Sequence, residues 1–147
     1  MDCVIKETLR LLPSFPFVAR TVREETELAG KTLPAGTVLV VNIFGLHRDP
    51  RHHHEPLQFD PARFADADRE RHPYSYLPFS GGPRSCIGQR YGMMAVKTML
   101  AAVLAEYSIE PADEDDAKAP ADFPLTFYMS LHLVGGVRVR FVPRERH

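Results

Sequence analysis

The chain of 147 residues contains no tryptophan and only two cysteines, Cys3 and Cys86. Two thiols are too few for a disulfide framework and fit a reducing compartment. Neither sign of charge dominates: 18 Lys and Arg stand against 19 Asp and Glu, a formal net charge of -1. Such a balance lacks the basic excess of a nucleic-acid binder, and no nucleic-acid partner is expected. Long hydrophobic runs are missing as well. The longest nearly apolar stretch, Met93 to Leu104, is broken by Lys97 and is too short to cross a bilayer. The opening residues read as a helix rather than as a signal peptide. What remains, 44% hydrophobic and 25% charged residues, is the composition of a folded domain and excludes a disordered or fibrous chain.

The sequence opens on MDCVIKETLRLL, a helical pattern without an N-cap residue. Its apolar positions Val4, Ile5, Leu9, Leu11 and Leu12, with Thr8, occupy more than one helix face. Pro13 and Pro16 stop that helix and force extended backbone. Phe17 to Val22 then reads as a strand. TELAGKTLPAGTVLVVNIF predicts short strands joined at Ala29-Gly30 and at Pro34-Ala35-Gly36. The proline- and histidine-rich HRDPRHHHEPLQFDPARF reads as coil with one short helical turn, and residues 65–78 as a charged loop with tyrosines. A long helix is expected from about Ile87 to Glu106, apolar almost all round between Met93 and Leu104. EPADEDDAKAPADFP is an acidic surface loop. The tail LTFYMSLHLVGGVRVRFVPR predicts two or three short strands with a turn at Gly135-Gly136. Within it Val137, Val139 and Phe141 alternate with Arg138 and Arg140, as in a strand buried on one side. Helices that are apolar on several faces need several neighbours, and this chain offers few. The expectation is that residues 1–147 are the C-terminal part of one larger domain.

The candidate site is FSGGPRSCIGQ, Phe79 to Gln89. A lone cysteine is more often a small buried hydrophobe than a reactive group, and Cys3 takes that reading. The surroundings of Cys86 differ. Gly82 permits a tight turn, and Gly88 lets backbone approach a flat ligand closely. The helix that follows turns its free N–H groups and positive dipole end toward the sulfur, which favours the thiolate form that ligates metals. Arg84 can grip a carboxylate on the same ligand through its planar fork. Phe79 is placed to form an apolar wall. On the first helix Glu7 and Arg10, three residues apart, share one face. Most such pairs are solvated, but on a helix apolar elsewhere this one is expected to be buried and paired. His47, His52, His53 and His54 lie in proline-broken coil without a cysteine or carboxylate at zinc-like spacing, and are expected to be solvated.

Phe79, Gly82, Arg84, Cys86 and Gly88 complete the pattern F-x-x-G-x-R-x-C-x-G, which resembles the haem-binding loop of the cytochromes P450. Glu7-Thr8-Leu9-Arg10 is similar to that family's E-x-x-R, and Pro61, Arg63 and Phe64 to its P-x-R-F segment. Ala62 stands where an acidic residue is frequent, a departure that leaves the arginine in place. The resemblance runs from the first helix to the tail, and IKETLRL with PFSGGPRSCIGQRYG looks most like the eukaryotic microsomal branch, family 4 and its insect relatives. It implies an α+β, mainly helical fold, with this chain contributing the E-x-x-R helix, small sheets, the cysteine loop and the helix after it. It implies haem b with Cys86 as axial thiolate, a ligand that favours O–O cleavage. Arg84 and Arg20 would hold haem propionates, although Arg20 also reads as an ordinary exposed strand arginine. Glu7, Arg10 and Arg63 would form a structural charge network. Phe15, Phe17 and the run Met129 to Leu131 match substrate-contacting stretches, or are simply core residues.

The implied reaction inserts one oxygen atom of O2 into a hydrophobic substrate such as a fatty acid, with electrons from NADPH through a reductase. The implied location is the cytosolic face of the endoplasmic reticulum membrane, through an anchor outside this chain. Two rival readings stay open: a non-catalytic haem binder, and a thiol or metal protein that uses Cys86 with the histidines.

Overall fold

A computed structural model describes residues 1–65 and 72–145. Three helices and four two-stranded antiparallel sheets follow one another along these residues. Helix α1, Asp2–Leu11, forms early and ends where expected: Pro13 has no N–H to continue the ladder, and the last backbone bond runs from Leu12 N–H to the Thr8 carbonyl at 2.7 Å. It buries Ile5, Glu7, Arg10 and Leu11.

Strand β1, Phe17–Thr21, then pairs with β4, Val38–Asn42, with Phe17 opposite Asn42 and Thr21 opposite Val38. Between them β2, Thr26–Leu28, and β3, Lys31–Leu33, make a hairpin whose tip, Ala29-Gly30, has positive φ at both residues. The single turn α2, Ile43–Leu46, is capped by the Asn42 side chain, which accepts the Gly45 N–H at 2.8 Å. A Cβ on Gly45 would lie 2.7 Å from the Asn42 amide nitrogen, so the cap itself requires glycine there. Among the described residues only Ile5, Leu11 and Ile43 are buried hydrophobics, two on α1 and one on α2.

Residues 49–60 form irregular coil, closed by a 3-10 turn at Pro61–Phe64 whose N-cap is Asp60. Residues 66–71 of the expected charged loop lie outside the described residues. Helix α3, Gln89–Glu106, begins two residues later than its sequence pattern predicts. None of its residues is buried. Strand β5, Tyr107–Pro111, follows at once and was not legible in the sequence, because its short run leads into the acidic loop. It pairs with β8, Val139–Pro143, while β6, Leu125–Phe127, pairs with β7, Leu131–Leu133. The Gly135-Gly136 turn therefore hands the chain from one small sheet to another. The one-side-buried expectation for the tail is corrected: Val137, Val139 and Phe141 are all exposed. Their alternation is real, but among the described residues the cover is slight, Phe141 meeting the Tyr107 ring edge-on at 5.9 Å.

Candidate functional site

Cys86 sits between the 3-10 turn Gly82–Arg84 and the start of α3. Gly82 has φ +72° with open space around it, so its backbone conformation, rather than crowding, favours glycine. The Ser85 N–H returns to the Gly82 carbonyl at 3.0 Å, and the Cys86 N–H donates to the Phe79 carbonyl at 2.9 Å. These two bonds close the loop and hold the cysteine backbone. Gly88 caps α3, and a Cβ there would sit 3.8 Å from the Cys86 sulfur. Cys86 is exposed, and Cys3 is half-buried rather than fully buried.

A cleft of about 380 Å³ opens beside the sulfur. Leu9, Val18, Ile43 and Phe79 give it apolar walls; Arg20, Arg84 and Cys86 supply the polar groups. Arg20 thus comes from β1, Arg84 from the turn and Cys86 from the helix start. The Arg20 guanidinium is steadied at one end by its bond to the Ala19 carbonyl, 2.8 Å. One sulfur, two arginines and a largely apolar wall would suit a flat, apolar ligand with carboxylates on its edge and a thiophilic metal at its centre. Phe15 also lines this cleft. Phe17 packs edge-on against Phe127, with ring centres 5.7 Å apart. The Met129 to Leu131 run lies beside the same end of the chain, where Leu131 N–H donates to the Ser14 carbonyl at 2.8 Å.

Glu7, Arg10 and Arg63 meet on the other side of α1. Arg10 grips Glu7 with two bonds, Nε to Oε2 and Nη2 to Oε1, both 2.8 Å. Arg63 Nε donates to Glu7 Oε1 at 3.0 Å, and the Asp60 N–H to the same oxygen at 2.9 Å. Arg10 also reaches the carbonyls of His47 (2.8 Å), Pro56 (2.6 Å) and Gln58 (3.0 Å). All five of its N–H donors are thereby used. Burial alone pushes the Glu7 carboxyl up, but the bonds from Arg10, the Asp60 N–H and Arg63 outweigh it and hold it below its ordinary value of 4.5.

The expectation of solvated histidines is corrected for two of the four. His52 and His54 are exposed, whereas His47 and His53 are buried. His53 Nε2 lies 3.1 Å from the Ser75 carbonyl. His47 is held between the Arg10 carbonyl and the Leu77 N–H. Burial pushes the His47 imidazole down to about 4. Coil carbonyls and helix ends need partners as metals do, and histidine serves either need, so composition alone did not separate the two. Among the described residues no group of three or more His, Cys, Asp and Glu side chains gathers as a metal site, and no helix is long and apolar enough to cross a membrane.

A thiol just ahead of α3 thus shares its cleft with two arginines, and a buried Glu–Arg–Arg cluster joins α1 to the Pro61–Phe64 turn. The family model for cytochrome P450 matches residues 1–131, and the chain belongs to that family, whose members are haem-thiolate monooxygenases. It is 50% identical over 111 residues to cytochrome P450 4V2 of Rattus norvegicus, covering 75% of this chain and 21% of that protein. The human cytochrome P450 4V2 matches to the same extent, 50% over 111 residues. Cytochrome P450 4c3 of Drosophila melanogaster is 40% identical over 146 residues, 99% of this chain and 26% of that protein. The chain therefore spans about a fifth to a quarter of the length of these relatives.

Proposed function

We propose that this chain is the haem-ligating C-terminal segment of a monooxygenase, with Cys86 as the axial thiolate. The observation that carries this reading is the shared cleft: Arg20, Arg84 and Cys86, from three separate elements, line it together with Phe79. Bound haem supplies oxygen activation, and a thiolate partner favours O–O cleavage. The chain's own residues do the rest. Cys86 offers its sulfur in the loop between the Gly82–Arg84 turn and α3. Arg20 and Arg84 would hold the haem by pairing with its carboxylates. Phe79 and Leu9 give the cleft apolar walls against which the face of a bound haem would lie. Glu7, Arg10 and Arg63 are scaffold and touch no reacting atom.

The wider reaction follows the resemblance to family 4 members. One atom of O2 enters a hydrophobic substrate such as a fatty acid and the other leaves as water, with electrons from NADPH through a reductase. The longer protein sits on the cytosolic face of the endoplasmic reticulum membrane. Exposed apolar faces on α3 and on the β1–β4 sheet support a longer chain, since both need cover that these residues do not supply.

The test is the spectrum of the reduced, CO-bound longer protein. A strongly red-shifted Soret band reports the thiolate, and Cys86→Ser should abolish both the band and oxygenation. A red-shifted band that survives the substitution would sink the assignment of Cys86. A protein with the band but no substrate turnover would favour a non-catalytic haem binder.

A further inference from the structure

We infer that His47 is a positioning residue for the cysteine loop, a strut between the C-terminus of α1 and the run that leads into Phe79. The inference rests on the reading of Cys86 as haem ligand. It begins with a tautomer. The Leu77 N–H donates to His47 Nε2 at 2.8 Å, so that nitrogen carries its lone pair. The ring is buried and neutral, which places its one proton on Nδ1, 3.1 Å from the Arg10 carbonyl.

Both bonds satisfy backbone groups, the Arg10 carbonyl and the Leu77 N–H. Arg10 is in the last turn of α1, where carbonyls lack intrahelical donors. Pro13 removes one of the amides that would have served them. Residues 47 and 48 supply substitutes: His47 Nδ1–H takes the Arg10 carbonyl, and Arg48 Nη2 donates to the Leu11 carbonyl at 2.6 Å. In return Arg10 Nη1 donates to the His47 carbonyl at 2.8 Å. The ring is clamped from the side as well, stacked on Tyr76 with centres 5.2 Å apart and planes 29° from parallel. Tyr76 is itself tied to α1 by its hydroxyl, 2.9 Å from the Lys6 carbonyl.

The far end of the strut reaches the loop in two steps. Leu77 precedes Pro78, so its backbone is restricted and the proline φ is fixed. Orientation set at the Leu77 N–H therefore passes to Phe79 with little slack. The Phe79 carbonyl receives the Cys86 N–H at 2.9 Å. Moving Leu77 moves that carbonyl, and with it the amide of the residue whose sulfur is to meet the metal. Groups that orient a ligand in this way typically change metal-site behaviour by about tenfold or more when removed.

The experiment uses the haem-loaded full-length protein. His47→Phe keeps the ring's bulk and its stacking on Tyr76 but deletes both nitrogens. The red-shifted CO band should convert about tenfold faster to the shorter-wavelength form that marks loss of thiolate ligation. His47→Gln, whose amide oxygen can accept from Leu77, should recover most of that loss. A His47→Phe protein that folds, holds haem and converts at the parent's rate overturns the inference while leaving Cys86 as ligand. A parent without any red-shifted band overturns the Cys86 assignment, and this inference with it. Should His47→Phe fail to fold, the Leu77 amide of the parent decides: exchange slowed about tenfold or more supports the strut, and exchange as fast as a free amide overturns it.

Discussion

At Glu7 one carboxylate serves two guanidiniums and a backbone amide, and the balance can be tested by removing either side. Arg10→Ala leaves the buried Glu7 charge with fewer donors, and Glu7→Ala takes from two buried cations the carboxylate they share. Each should cost about 3–5 kcal/mol and abolish haem incorporation rather than merely slow turnover. A variant that folds, holds haem and loses less than about 1 kcal/mol would behave like a surface pair, contrary to the burial seen here. Acid should act through the same region. The Glu7 value lies below 4.5 in the folded chain, so the stability it contributes is present above that pH and is lost as pH falls through its folded value. His47 titrates near 4 when folded against 6.5 when unfolded. The unfolded chain therefore takes up the proton first as pH falls below 6.5. Stability should drop by about 3 kcal/mol between pH 6.5 and 4 from this residue alone. Urea midpoints measured across that range should flatten in His47→Gln; an equally steep fall in the variant would assign the acid lability elsewhere.

At the scale of elements the coil of residues 49–60 is the least regular part of the site and among the best partnered. It has no ladder of its own, so its carbonyls are free to be collected by side chains. Arg10 takes those of Pro56 and Gln58, and Arg63 Nη1 takes that of His54 at 3.0 Å. Two arginines thus do for this coil what a helix or sheet does for its own backbone. Arg10→Lys keeps the charge but has three donors on a single point in place of a planar fork. Limited proteolysis should then cut within 49–60 several-fold faster while α1 and α3 keep their helical signal. Unchanged cleavage would show that the carbonyls need no such clamp. A smaller effect belongs to α2. Gly45→Ala would push a Cβ into the Asn42 amide and so displace the N-cap. The expected loss is about 1 kcal/mol, read as a lower thermal midpoint.

The whole molecule buries little for its length. Only three hydrophobic side chains are buried among the described residues, while Ile87, Met94 and Met99 on or beside α3 are 104%, 61% and 64% exposed. Apolar surface on this scale marks a contact region rather than a solvent face. The cleft beside Cys86 has the same incompleteness, with a wall on the sulfur side and an open side opposite. Expressed alone, the 147 residues should bind a hydrophobic dye strongly, take up haem weakly and aggregate on concentration. A cooperative melt together with tight stoichiometric haem binding would instead make these residues a self-sufficient domain.

The sequence by itself determined most of the local elements and the family to which the chain belongs. Prolines end α1, glycines allow the turns, and four fixed residues around Cys86 mark the loop. Each of these is a short-range constraint carried by the residues that obey it. Burial of Glu7 and Arg10 was also legible, because a charged pair on a helix apolar elsewhere has few other fates. Tertiary structure alone decided what the coil carbonyls bind, that His47 and His53 go inside while His52 and His54 stay out, and that β8 pairs with β5. It also placed Arg20 in the same cleft as Cys86. These depend on which distant backbone groups lack partners once the chain has folded. No periodicity records that, because an orphan carbonyl at Arg10 and a free amide at Leu77 become neighbours of one imidazole only in three dimensions.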